Sequence, residues 1–163
     1  MTPELARPVM IERIGPLGLE VEVVATAGEC TTLAARLHLP AVIGLTCRFR
    51  LSRCPRHMIM ADGSLIARVM QTCVVSLEDF ESTVAETFTV CFVPEGSETE
   101  ELSPDEPDEI GYSGPCIDLG DVAAEQLALV LDPYPRKPDA VLPEGGDSPE
   151  SHPFAALARM RRH

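Results

Sequence analysis

Cysteine and histidine come closest together in Cys54-Pro55-Arg56-His57, with Cys47 seven residues upstream. Thiolate and imidazole are the side chains that hold zinc, but a closed structural site needs four of them around a tetrahedron. Only three donors stand here, in a stretch rich in arginine that opposes a cation. The pattern reads as the edge of a strand, and neither a metal nor another cofactor is expected. Cys73 is a second candidate, since a thiol near a cation such as Arg68 loses its proton and becomes a nucleophile. Its neighbours Val74 and Val75 point instead to a buried strand. The histidines at 38, 57, 152 and 163 are general bases on paper, yet none stands beside a nucleophile elbow or a paired-carboxylate motif. The chain has no Walker lysine loop and no G-x-G-x-x-G. The expected protein is therefore a binding protein with no catalytic residues and no small-molecule substrate. The alternative is an RNA-processing or thiol-dependent enzyme centred on Cys73 or His57.

Charge is the more informative chemistry. The formal net charge is -13, and eight acidic residues fall between Glu95 and Glu109 with no base among them. Such a run on a loop lacks the fixed geometry that two-metal catalysis requires, and a solvated loop is the simpler reading. From Cys30 to Ala61, by contrast, no acid occurs, while Arg36, Arg48, Arg50, Arg53 and Arg56 do. Alternation puts Arg48 and Arg50 on one exposed strand face, with Arg68 on a later strand, and guanidinium forks suit phosphate. The competing reading is a solvated face whose arginines pair with the protein's own carboxylates, the acidic loop included. A net anion repels a polyphosphate, so RNA contact would require a segregated basic face, whereas a basic protein partner would not. Aromatic residues make up only 4% of the chain, which argues against a base-stacking platform and for backbone or shape readout if RNA is bound.

The elements that must carry these residues follow from periodicity. Hydrophobic residues at 45% of 163 suffice for one domain, expected over residues 1–131. Residues 7–14 and 17–25 read as two strands of an antiparallel hairpin joined by Ile14-Gly15-Pro16-Leu17-Gly18, with Leu17, Leu19, Val21 and Val23 on one face. Thr26-Ala27-Gly28-Glu29 has capping-box spacing before a short helix with Leu33 and Leu37 on its buried edge, and Pro40 bars its continuation. Strands are expected at 45–53, 64–76 and 85–93, with an Asp62-Gly63 turn before the second of these. Residues 58–61 either extend the first or begin another. The acidic run at 95–109 is too polar and Pro-rich to pack, and is expected as a mobile loop.

Asp118 is placed to cap a helix running to residue 131, with Leu119, Val122, Ala123, Leu127, Val130 and Leu131 in one apolar stripe. Asp121 and Glu125 lie on its wet side. Five prolines and two adjacent glycines make 132–151 a linker, and Pro153 opens a basic C-terminal helix at 152–163. Phe154 and Leu157 form its apolar edge, and Arg159, Arg161 and Arg162 its charged end. That helix either docks back on the domain or captures a partner. The expected class is α+β: a largely antiparallel sheet of five or six strands, open to curling into a partial barrel, with the main helix packed across it. Six cysteines without an export leader read as free thiols. No run reaches the roughly 18–20 apolar residues of a membrane span, so a soluble, cytoplasmic protein with no membrane partner is expected.

Three segments occur in a fixed order: QTCVVSLEDF at 71–80, DLGDVAAEQLALVLDPYPR at 118–136 and HPFAALARMRR at 152–162. Together they resemble the YceD-like family, the large ribosomal RNA subunit accumulation proteins. ELARPV near the start and ARVMQTCVV resemble its alphaproteobacterial-type branch. The motif positions are Gln71, Cys73, Asp118, Leu119, Glu125, Pro135, Arg136 and Pro153. The resemblance implies a role in accumulation or maturation of large-subunit rRNA. The implied partner is an rRNA precursor or a basic large-subunit ribosomal protein. Many relatives carry C-x-x-C where this chain has Met70-Gln71-Thr72-Cys73, and some have further cysteines after the main helix, where residues 133–150 have none. A thioether is a poor zinc ligand, so a metal site of those relatives does not carry over.

Overall fold

Period-two burial builds most of this fold. The computed structural model describes residues 4–97 and 104–141. In chain order these form β1 (Pro8–Met10), β2 (Leu19–Val24), α1 (Ala27–Arg36), β3 (Ala41–Cys54), β4 (Met58–Thr72), β5 (Asp79–Pro94), β6 (Asp108–Tyr112), β7 (Cys116–Asp118) and α2 (Leu119–Val130). β2 to β6 make a five-stranded sheet in sequence order, antiparallel except for the parallel β5–β6 pair. β1 and β7 make a separate antiparallel pair. The protein is α+β, and the sheet stays open, with β2 and β6 as its edges rather than closing into a barrel.

One sheet face is apolar. Cys47, Phe49 and Leu51 on β3 and Ala61, Leu65 and Ala67 on β4 alternate into a core with Leu33 of α1 and Leu119, Val122 and Leu127 of α2. Fully burying a leucine contributes about 1.5–3 kcal/mol, and Leu33 of α1 and Leu127 of α2 are both fully buried against the sheet. Arg48, Arg50, Asp62, Ser64, Ile66 and Arg68 alternate onto the opposite face and are exposed.

α1 starts where the capping-box spacing predicts. The Thr26 hydroxyl accepts from the Glu29 amide at 3.3 Å, and the Glu29 carboxylate accepts from the Thr26 amide at 2.7 Å. α2 starts at its Asp118 cap, whose carboxylate accepts the amides of Gly120 at 2.9 Å and Asp121 at 3.2 Å. Leu119, Val122, Ala123 and Leu127 are buried, while Asp121 and Glu125 are exposed.

Five expectations are corrected. The strand expected at 7–14 is only three residues long before a 3-10 turn at Ile11–Arg13, and it pairs with β7 rather than β2. The reason is burial: Val9 and Ile117 are partners in register and both enter the core. Leu17 is not a strand residue facing the core but lies in the turn, 98% exposed. Asp62-Gly63 is not a turn. Gly63 sits mid-strand because the Phe88 ring occupies the space a Cβ would need, 2.2 Å from its ideal position. Phe49 packs edge-on against that ring, with centroids 5.8 Å apart. The reversal between β3 and β4 falls instead at Pro55–His57, where Arg56 and His57 adopt positive φ. β4 ends at Thr72, short of residue 76, and β5 begins at Asp79, earlier than residue 85. Finally, Asp108 and Glu109, the end of the acidic run, are the first residues of β6, since Ile110 and Tyr112 pack against the core.

Candidate partner-binding surface

Of the arginines that could hold phosphate, Arg48, Arg50 and Arg68 share one exposed sheet face, and Arg48 and Arg68 are already engaged. Arg48 Nε donates to Glu22 on β2 at 2.9 Å, and Arg68 Nε donates to Glu81 on β5 at 2.8 Å. Arg50 lies in register between Glu20 on β2 and Asp62 on β4. Arg53 turns to the backbone, donating to the carbonyls of Ile14 and Ile11, both at 2.7 Å, and so anchors the segment after β1. Arg56 is exposed on the β3–β4 reversal, away from that row. The pairing partners are carboxylates of neighbouring strands, and each exposed pair contributes about 0–1 kcal/mol. The electrostatic outcome matters more than that energy. A row that reads as cationic in one strand becomes an alternation of signs once its neighbours pair beside it.

A second arrangement was not legible in the sequence. Arg7 forms a two-pronged ion pair with Glu29, Nη1 to Oε1 at 2.7 Å and Nη2 to Oε2 at 2.8 Å, and also donates to the Val24 carbonyl at 2.9 Å. Its backbone amide donates to the Asp118 carboxylate at 2.9 Å, and its carbonyl accepts from Leu119 at 3.1 Å. One residue thus ties β1 to the starts of both helices. The Arg7 guanidinium, with the Thr26 amide, holds the Glu29 carboxyl down at about 2. Gly120 lets this happen, because a Cβ there would lie 2.6 Å from the Leu5 carbonyl oxygen.

The motif residues Gln71, Cys73, Pro135 and Arg136 converge in a third place. Gln71 is buried, and Cys73 is fully buried at the start of the β4–β5 turn, in which Leu77 adopts positive φ. The segment after α2 closes over this turn: the Val74 amide donates to Pro135 at 3.0 Å, and the Lys137 amide donates to Cys73 Sγ at 3.3 Å. Lys137 Nζ meets Glu78 at 3.0 Å. The Ser76 hydroxyl and amide, followed by the Lys137 amide, lower the Cys73 thiol to about 6. Burial does the reverse to Cys47, pushing it up to about 12. Cys73 Sγ is thus a buried acceptor for two backbone amides, Ser76 at 3.4 Å and Lys137 at 3.3 Å. His57 sits on the β3–β4 reversal, where its carbonyl accepts from the Tyr112 hydroxyl. Among the described residues no three His, Cys, Asp or Glu side chains converge as a metal site, and all six cysteines are free thiols. Pro153, Phe154, Leu157, Arg159, Arg161 and Arg162, with the helix expected around them, lie outside the described residues, as does part of the acidic run.

These features define a small α+β protein with a charge-paired sheet face and a pinned segment after its main helix. The family model described as large ribosomal RNA subunit accumulation protein YceD matches residues 61–160, and the chain belongs to that family. No curated protein and no solved structure matches it. The family's name carries a role in large-subunit rRNA accumulation. No helix among the described residues is long and apolar enough to cross a membrane.

Proposed function

We propose that this chain is a cytoplasmic, non-catalytic factor in large ribosomal subunit biogenesis, and that it supports rRNA accumulation by binding a basic large-subunit ribosomal protein. The observation that carries this reading is the pairing of the sheet arginines with Glu22 and Glu81, and the placement of Arg50 between Glu20 and Asp62. Guanidinium groups already faced by carboxylates lose most of their attraction for a polyanion. The remaining surface of a chain with net charge -13 favours a cation. A factor of this kind shields a basic protein until that protein meets its RNA.

The test is a tagged pulldown of the full chain from growing cells, with RNA and protein read out together after nuclease treatment. A basic ribosomal protein that stays bound after the RNA is digested supports the reading. The competing outcome is direct rRNA binding through Arg48, Arg50, Arg53, Arg56 and Arg68. It would show as affinity for rRNA fragments that falls steeply with salt and again in Arg48→Glu and Arg50→Glu variants. That result would overturn the proposal.

A further inference from the structure

The solvent face of the sheet carries an open trough that the function above does not yet use. Two rows of side chains cross four strands in register: Glu20, Arg50, Asp62 and Thr89, then Glu22, Arg48, Ser64 and Thr87. Between them the intervening row, with Gly63 at its centre, presents backbone because its side chains face the core. The result is an open cavity of about 900 Å³. Rows two residues apart lie about 7 Å from each other, and four strands span roughly 14 Å, the width and length of a short stretch of extended polypeptide.

The next row along the strands is Val24, Thr46, Ile66 and Ala85. Val24 is 50% and Ile66 55% exposed, so apolar surface lies open directly beside the charged trough. Carboxylates outnumber guanidinium groups in the trough, since Glu20, Glu22 and Asp62 face only Arg48 and Arg50. Asp105, Glu106, Asp108 and Glu109 stand exposed at and before β6, beyond its far end. Charge therefore selects a cationic occupant, and the apolar row selects one with aliphatic side chains between its charges.

We infer that this trough is the docking site for an extended Lys/Arg-rich polypeptide segment with interleaved aliphatic residues. The inference rests on the reading that the partner is a basic protein, and names where that protein is held.

The test measures fluorescence anisotropy of a labelled twelve-residue peptide alternating Lys or Arg with Leu, titrated with the full chain. The Glu20→Gln/Asp62→Asn variant removes two trough charges and keeps hydrogen-bonding side chains, so the fold is retained. Its affinity is expected to fall about fivefold or more, and that of Ile66→Ser about threefold. Glu12→Gln/Asp121→Asn removes the same charge elsewhere and is expected to change affinity less than twofold. Equal losses in both double variants would reduce the effect to net charge and overturn the site. So would unchanged binding in the trough variant, or burial of the trough in a dimer of this chain. If the peptide result fails while the pulldown still yields a basic ribosomal protein, the site is wrong and the partner class stands. Recovery of rRNA alone overturns both.

Discussion

Replacing Glu29 by Gln tests whether the Arg7 junction organises the N-terminal half of the fold. The substitution keeps the size and one acceptor oxygen but removes the charge from two guanidinium bonds of 2.7 and 2.8 Å and from the capping bond to the Thr26 amide. The carboxyl is held near 2 against an ordinary 4.5, and at about 1.4 kcal/mol per unit this sets an upper limit of about 3.4 kcal/mol. The Glu29 side chain keeps 23% exposure and its partner 31%, so solvent screening brings the expected loss to about 2 kcal/mol at neutral pH. The sign is that of a lowered acid. The stabilisation is fully present above pH 4.5 and is lost as the pH falls toward 2. Urea denaturation followed by circular dichroism at a series of pH values reads both effects. Glu29→Gln should be weaker by about 2 kcal/mol at pH 7, and the two curves should converge near pH 2. Parallel curves across that range would refute the assignment, because they would show that the ionised carboxylate contributes nothing beyond shape.

Gly120→Ala places a methyl 2.6 Å from the Leu5 carbonyl oxygen and 2.8 Å from the Arg7 nitrogen, both backbone atoms that cannot swing aside. A loss of about 2–3 kcal/mol is expected in the same denaturation assay, despite the better helix propensity of alanine. Asp118→Ala strips an acceptor from the amides of Arg7, Gly120 and Asp121, and should cost about 1–2 kcal/mol, with Asp118→Asn recovering most of it. Cys73 should titrate near 6 when thiolate absorbance is followed in a variant lacking the other five cysteines, and should resist iodoacetamide until the fold is loosened. Because its folded value lies below the ordinary thiol value, it contributes stability at alkaline pH that is lost as the pH falls through 6. Cys73→Ala should therefore flatten the stability profile between pH 6 and 9.

Much of the architecture is local and could be read residue by residue. The Thr26–Glu29 box, the Asp118 cap, the stripe from Leu119 to Leu127 and the alternation along Cys47–Leu51 each depend on neighbours within a few positions, and each forms as its spacing predicts. The family was legible in the same way, from ordered segments that a model spanning residues 61–160 matches. Pairing was not. Nothing near residue 8 says that its strand belongs with residue 118 rather than residue 20, because the preference arises from where Val9 and Ile117 find a common core. Gly63 looks like a turn until a ring 25 residues away fills the space over it. Most consequentially, the arginines of β3 and β4 have no acid nearby in their own strands except Asp62, and the glutamates that neutralise Arg48 and Arg68 arrive from β2 and β5. Side-chain sign and period are properties of one strand, whereas the potential of a sheet face belongs to all the strands in register. The residue types were therefore determined by the sequence alone, and the pairing of the arginine face with carboxylates was decided only when the sheet assembled.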